Sequence, residues 1–193
     1  MTNNKRILGI HWLLVLSLIA GLALPTANTD AAAKSKKKKV LVVYFSATGT
    51  TKSAAKKVKK AAGGKLYQIK PAKPYTDADL DYTNNNCRAN REQRDEAARP
   101  QIKGKVKNIR KYDVIFLGFP IWHSREPKII RTFLESHNLK GKKIVTFGTS
   151  GGSGISGSVK GVKAAAKGAR VVSGRDLTDV SYKSVKKWVK KQR

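Results

Sequence analysis

Val40 to Thr51 reads V-L-V-V-Y-F-S-A-T-G-T-T, an apolar run that gives way to hydroxyl side chains around one glycine. The run through Phe45 does not alternate between apolar and polar residues, so it predicts a parallel strand that is covered on both faces. After Gly49, alanine and valine recur at helical spacing, which predicts a helix. Unpaired amides at a helix start point towards a bound anion. The stretch therefore predicts a strand, a phosphate-binding turn and a helix.

Two alternatives apply to this turn. The nucleotide-triphosphate loop needs a glycine directly before its lysine, but Thr51 precedes Lys52 here, so that motif is absent. The second alternative is an ordinary strand, turn and helix, in which Ser46 or Thr48 merely caps the helix.

The first 33 residues have the pattern of a secretory signal peptide. Lys5 and Arg6 precede an apolar stretch from Ile7 to Leu24, and small residues lead up to Ala33, where we expect cleavage. An uncleaved membrane anchor is the alternative, because the stretch is close to the lower limit of roughly 17 residues for a membrane span. We therefore expect an extracytoplasmic protein, with a basic linker over residues 34–38 and one domain over 39–193. No cysteine stands directly after the apolar stretch, which argues against a lipoprotein.

The chain carries a formal net charge of +29. Such a charge attracts polyanions, and outside a cell these are an anionic membrane surface or acidic envelope polymers. We do not expect nucleic acid as a partner, because the lysines are dispersed and lack interleaved aromatic residues. A bias that places lysine at every solvated position is the alternative. Cys87 is the only cysteine, so it forms no internal disulfide and is expected to be structural.

Strand and helix patterns alternate along the domain. Strands are predicted at 39–45, 65–70, 113–118, 143–147 and 169–173, and helices at 50–62, 127–137, 155–167 and 182–191. Such alternation predicts a parallel sheet with helices on both faces. Residues 71–112 interrupt it with a long excursion that contains a short helix around 89–98, and we expect a functional loop or partner surface there. We assign Asp77, Asp79 and Asp81 to local turns rather than to a metal.

Ligands of open parallel sheets bind beyond the carboxyl ends of the strands. The second such loop, G-F-P-I-W-H-S-R-E-P over 118–127, places Trp122 at a strand end, where we expect an exposed aromatic platform rather than a core residue. The third, over 148–158, is rich in glycine and offers backbone groups to a polar ring edge. A phosphate turn, an aromatic platform and a polar loop together predict flavin mononucleotide (FMN).

These loops resemble those of the flavodoxin family. Its phosphate pattern [ST]-x-T-G-x-[ST] matches Ser46 to Thr51, and the resemblance extends over residues 39–191. It implies an α/β three-layer sandwich, a five-stranded parallel sheet of order 2-1-3-4-5, noncovalent FMN and electron transfer with a redox partner protein or a small-molecule acceptor. By position, the phosphate would be held by Ser46, Thr48, Gly49, Thr50 and Thr51. The flavin ring would be flanked by Pro120, Ile121, Trp122 and His123, and its pyrimidine edge would meet Thr149, Ser150, Gly151 and Gly152.

The chain departs from many relatives at His123 and Ser124, where they carry a glycine. His123 is expected either to hydrogen-bond the reduced ring or, more simply, to be an exposed imidazole. Flavodoxins are commonly acidic, whereas this chain is strongly basic.

Other functions stay open. Gly152, Gly154 and Gly157 match the dinucleotide pattern G-x-G-x-x-G, with Asp176 further on, but too little chain follows to build a second binding half. An NAD(P)H-dependent quinone or flavin reductase is one alternative function. A polyanion-binding surface protein without cofactor is another. No hydrolytic or paired-carboxylate motif is present.

Overall fold

A computed structural model describes residues 37–192 of this chain. The predicted signal peptide or anchor over residues 1–33 lies outside the described residues. Within 37–192, no helix is both long enough and apolar enough to cross a membrane.

The strands are, in chain order, β1 (Val40–Tyr44), β2 (Lys65–Gln68), β3 (Lys70–Pro71), β4 (Ile102–Lys103), β5 (Val114–Pro120), β6 (Lys143–Thr149) and β7 (Arg170–Asp176). The helices are α1 (Thr50–Ala62), α2 (Arg88–Arg94), α3 (Lys128–Glu135), α4 (Ser156–Ala165) and α5 (Tyr182–Gln192).

The main sheet is fully parallel and has the order β2-β1-β5-β6-β7. Counted over its five strands, this is the order 2-1-3-4-5, so the predicted fold is confirmed. Tyr44 lies opposite Gly118, which lies opposite Phe147. The carboxyl ends of β1, β5 and β6 therefore meet at one edge of the sheet.

The three central strands, β1, β5 and β6, are buried on both faces, as the apolar run in β1 predicts, whereas the edge strands β2 and β7 are partly exposed. Alternate residues of one strand enter different cores: Val42 faces α1 and α5, whereas Val43 belongs to the core on the side of α3 and α4. α1 begins at Thr50 and ends at a left-handed Gly63, as its sequence predicts.

Some predicted boundaries were wrong. The strand predicted over 65–70 ends at Gln68, and Lys70–Pro71 instead pairs antiparallel with Ile102–Lys103. The last strand continues past Gly174 to Asp176. Gly174 allows this because a Cβ there would lie 1.3 Å from the carbonyl O of Thr146.

The excursion over residues 71–112 packs a short helix against the sheet edge. α2 ends at Arg94, earlier than predicted, and buries Ala89, Asn90 and Gln93. Cys87 caps this helix by accepting the Asn90 N–H (3.4 Å), a structural role in line with the sequence prediction. The described residues contain no acid, histidine and cysteine cluster that could hold a metal ion.

Candidate functional site

The loops after β1, β5 and β6 enclose a cleft of about 380 Å³. The sequence predicts most of its lining: Thr48, Thr50, Thr51, Pro120, Ile121, Trp122, Thr149, Ser150 and Gly151. Three further lining residues were missed: Ala47, Leu80 and Tyr82. The predicted residues Ser46, Gly49, His123 and Gly152 are not part of the lining. The volume is within the range of small-molecule sites.

The turn after β1 has the features of an anion site. Gly49 has a φ of 101°, a conformation that suits glycine. The Ser46 hydroxyl accepts the N–H groups of Gly49 (3.1 Å) and Lys52 (3.2 Å). Ser46 therefore does cap the helix, as the simpler alternative holds.

Capping leaves other donors of this turn free. Across residues 37–192, the backbone N–H groups of Thr48, Thr50 and Thr51 find no hydrogen-bond acceptor. The hydroxyls of Thr48 and Thr50 lie 3.5 Å apart beside them. Free amides at the start of a helix fit a phosphate group, because the helix dipole adds to their attraction.

Thr51 has a second role that its hydroxyl pattern did not reveal. Its Oγ1 lies 2.7 Å from Thr149 Oγ1, and both side chains are buried. This hydrogen bond joins the first loop to the third beneath the cleft. The Thr51 hydroxyl is thus engaged with Thr149, whereas the Thr51 amide stays free for an anion.

The second loop makes a tight, strained turn. Trp122 and Arg125 exchange two backbone hydrogen bonds, of 2.9 and 3.0 Å. His123 and Ser124 between them have positive φ values of 47° and 60°. Two central residues with positive φ characterise type I′ turns, which favour Asn and Gly. Each non-glycine residue in this conformation costs about 1 kcal/mol, so the surrounding structure must stabilise the turn.

Helix α2 supplies that support. The buried Gln93 amide donates to the carbonyl O of Trp122 (3.0 Å) and of Glu126 (3.3 Å), and its Oε1 accepts the Lys128 N–H (3.2 Å). Asn90 Oδ1 lies 2.6 Å from His123 Nε2. The excursion therefore holds the second loop in place, a role that the sequence did not indicate.

Trp122 is not the exposed platform that the sequence predicts. Only 4% of its surface is exposed, and its ring packs edge to face against Phe45 and Tyr75. The exposed ring at the cleft is Tyr82, which is 47% exposed and lies 6.3 Å from Trp122. Partial burial, with a smaller effect from Cys87, raises the pKa of Tyr82 to about 12. Its phenol is therefore neutral at physiological pH.

His123 is exposed, in agreement with the simpler expectation. Its imidazole contacts Asn90 and packs 6.0 Å from the Tyr82 ring. It therefore sits at the rim of the cleft.

The third loop is fixed by β7 and the residues after it. Ser150 Oγ donates to Asp176 Oδ2 (2.5 Å), and Ser150 N–H donates to Thr178 Oγ1 (2.8 Å). Partial burial alone would raise the pKa of Asp176, but the hydrogen bonds from Ser150 and Thr178 outweigh it and lower the pKa. Asp176 is thus engaged within the protein. The dinucleotide alternative requires a carboxylate that is free to bind a ribose, and Asp176 is not free to do so.

Gly157, the last glycine of the dinucleotide pattern, serves helix packing. A Cβ at this position would lie 2.2 Å from the carbonyl O of Ser124. The glycine therefore lets α4 approach the strained turn of the second loop. Gly152 and Gly154 have φ values of 134° and 67°, so they shape the third loop.

A larger cavity of about 540 Å³ lies beside α3 and α4. Its walls form an ion-pair network in which Glu96 contacts Arg125, Lys128 and Arg131 at 2.5, 3.1 and 2.7 Å. Hydrogen bonds from Arg131 and Lys128 lower the pKa of Glu96 to about 2. These side chains pair with one another, and the smaller cleft lies at the carboxyl edge of the sheet, so we place the functional site at the smaller cleft.

The fold and this cleft define an α/β protein that presents an anion-binding turn and an aromatic wall at the carboxyl edge of a parallel sheet. A family model described as Flavodoxin matches residues 39–192. The chain belongs to the flavodoxin family. No curated protein matches it.

Solved structures agree with this assignment. A candidate flavoprotein of Bacteroides eggerthii DSM 20697 is 48% identical with a TM-score of 0.76, and the match covers 80% of this chain and 98% of that one. A second, from Bacteroides uniformis ATCC 8492, is 44% identical with a TM-score of 0.77, covering 80% and 99%. A Lactobacillus acidophilus NCFM flavoprotein solved in complex with FMN is 27% identical with a TM-score of 0.63, covering 78% and 98%. Chains of little more than this domain therefore fold on their own.

Proposed function

We propose that this protein binds FMN noncovalently in the cleft and carries electrons between redox partners outside the cytoplasm. The observation that carries the proposal is the set of free N–H groups of Thr48, Thr50 and Thr51 at one end of an aromatic cleft. The FMN in the Lactobacillus acidophilus relative supports the choice of cofactor. The export of the protein rests on the sequence of residues 1–33 alone.

The residues of the cleft divide the work of holding the cofactor. The start of α1 would bind the phosphate through backbone amides, helped by the hydroxyls of Thr48 and Thr50. Tyr82 and Ile121 would contact the faces of the ring. The backbone from Thr149 to Gly151 would meet its polar edge, and the hydrogen bonds of Ser150 to Asp176 keep that backbone in place.

When bound, the flavin supplies one-electron and two-electron transfer, and the protein supplies position and electrostatics. The residues that line the cleft in the described chain carry no group that is ionised near neutral pH. Among the lining residues of the described chain, Tyr82 alone has a titratable side chain, and its pKa of about 12 makes it a weak general acid. This favours an electron carrier over a reductase that must also transfer protons to a substrate.

The charge of the chain bears on the potential of the cofactor. With a net charge of +29, the protein stabilises negative charge that reduction adds to the ring. We expect the midpoint potential to decrease as salt screens this attraction. A redox titration at low and high ionic strength measures the effect, and a potential that is insensitive to salt contradicts it.

The choice between carrier and reductase is tested with the FMN-loaded domain, residues 34–193. We expect NADH and NADPH alone to leave the visible flavin absorbance unchanged over minutes. Chemical reduction should bleach the flavin, and a quinone or a redox protein added afterwards should reoxidise it and restore the absorbance. Rapid bleaching by either nicotinamide would identify a reductase instead. A domain that binds no FMN but is retained on anionic polymers would support the cofactor-free alternative.

A further inference from the structure

The topology of the sheet collects positive charge at the edge opposite the cleft. Because all five main strands are parallel and the helices return between them, strand starts and helix ends share that edge. We define the basic edge as Lys37, Lys38, Lys39, Lys65, Arg110 and Lys111, all of which are exposed. Five of these residues line one open depression there.

The basic edge continues along the neighbouring strands. Lys142 and Lys143 stand at the start of β6, and Arg170 begins β7. The Lys142 ammonium donates to the carbonyl O of Arg110 (2.6 Å), and the Lys143 ammonium donates to the carbonyl O of Gln192 at the end of α5. These contacts confirm that strand starts and helix ends lie together at this edge.

Carboxylates do not neutralise this charge. The ion pairs of residues 37–192 all lie around α2 and α3, and none includes a side chain of the basic edge. Asp113 is nearby, but its Oδ2 accepts the backbone N–H of Lys39 (2.7 Å). Partial burial, then the positive charges of Arg170 and Lys38, lower the pKa of Lys143. The cations repel one another, and an anionic partner would relieve that repulsion.

The shape of this edge fits a surface better than a single strand of polymer. Five strands at a spacing of about 4.8 Å make an edge about 20 Å wide, and a helix layer on each side adds about 10 Å. Charge complementarity therefore favours a flat anionic surface as the partner of this edge.

We propose that the basic edge docks on a lipid bilayer that contains anionic lipids. β5 runs about 20 Å from its start at this edge to the cleft, so docking leaves the cleft open on the far side. The interaction does not depend on FMN. Docking through the basic edge would give the lysines at this edge the role of orienting the cleft away from the bilayer.

The test measures binding of residues 34–193 to vesicles, because the apolar stretch of the full chain would itself insert. Two kinds of vesicle are compared. One contains phosphatidylcholine with about 30% of the anionic lipid phosphatidylglycerol, and the other contains phosphatidylcholine alone. The variant Lys37→Glu, Lys38→Glu, Lys65→Glu, Lys111→Glu reverses the charge of four of the six residues of the basic edge. The matched control, Lys56→Glu, Lys73→Glu, Lys183→Glu, Lys186→Glu, changes net charge equally at other exposed positions.

We expect the basic-edge variant to bind anionic vesicles at least about a hundredfold more weakly than the parent, and the control variant to remain within about tenfold. Circular dichroism melting of each variant establishes that it is folded. Equal losses in the two variants would show that only overall charge matters and would overturn the proposal. Equal binding of the parent to both vesicle types would also overturn the proposal. So would a basic-edge variant that loses binding to a soluble polyanion such as heparin but not to anionic vesicles.

Discussion

Replacing Gln93 with leucine tests how α2 supports the cleft. Gln93 is 7% exposed, and its side chain forms three hydrogen bonds of 3.0 to 3.3 Å with the second loop and the start of α3. Leucine fills a similar volume but leaves the Glu126 carbonyl and the Lys128 N–H without their partner, whereas the Trp122 carbonyl still accepts the Arg125 N–H. Each buried polar group left unpaired costs about 1 kcal/mol or more, so we expect a loss of about 2 kcal/mol in the free energy of unfolding.

Urea unfolding of the domain, followed by circular dichroism, measures this loss. In a domain of this size 1 kcal/mol shifts the melting temperature by about 2 to 4 °C, so Gln93→Leu should lower it by about 4 to 8 °C. Gln101→Leu is the matched control, because Gln101 is exposed and its side chain makes no hydrogen bond among the described residues. A loss below about 1 kcal/mol, or equal effects in the two variants, would refute the supporting role of Gln93.

Three further predictions concern packing, pH and the aromatic wall. Gly157→Ala places a Cβ 2.2 Å from the carbonyl O of Ser124, so overpacking should cost about 1 to 3 kcal/mol in urea unfolding, whereas Ser156→Ala on the exposed side of α4 should change little. The pKa of Glu96 is about 2, below its value in the unfolded chain, so the stability that Glu96 contributes is present above about pH 4.3 and is lost as the pH falls towards 2. Between pH 7 and pH 2, the melting temperature of Glu96→Gln should therefore fall less than that of the parent. Tyr82→Ala should weaken FMN binding about tenfold by calorimetry, and Tyr82→Phe should bind as the parent does; equal losses would mean that the hydroxyl, not the ring, is the contact.

The central fold follows from local patterns. The apolar run in β1 and the alternation of strands and helices predict a parallel sheet and both helix layers, because a parallel strand must be covered on both faces. The order of the strands, in contrast, is what the resemblance to the flavodoxin family implies. The three loops of the cleft follow too, since parallel strands bring their carboxyl ends together. The register of Tyr44, Gly118 and Phe147 shows this convergence.

The excursion accounts for what the sequence did not reveal. Tyr82 and Gln93 reach the site through long-range packing of residues 71–112, which has no periodic pattern. The burial of Trp122 depends on Phe45 and Tyr75, which lie far away in the chain. The splitting of the predicted 65–70 strand depends on a partner at Ile102–Lys103. Local residue preferences do not encode such pairings.

The most direct test of the central claim compares the binding of FMN and of riboflavin to residues 34–193. Quenching of the flavin fluorescence measures both affinities. The free N–H groups of Thr48, Thr50 and Thr51 predict that FMN binds tightly with a quenched spectrum. Charge-assisted hydrogen bonds to the phosphate predict that riboflavin binds at least about a hundredfold more weakly. Equal affinities for the two flavins would contradict the phosphate site, and no quenching by either would contradict the flavin cleft itself.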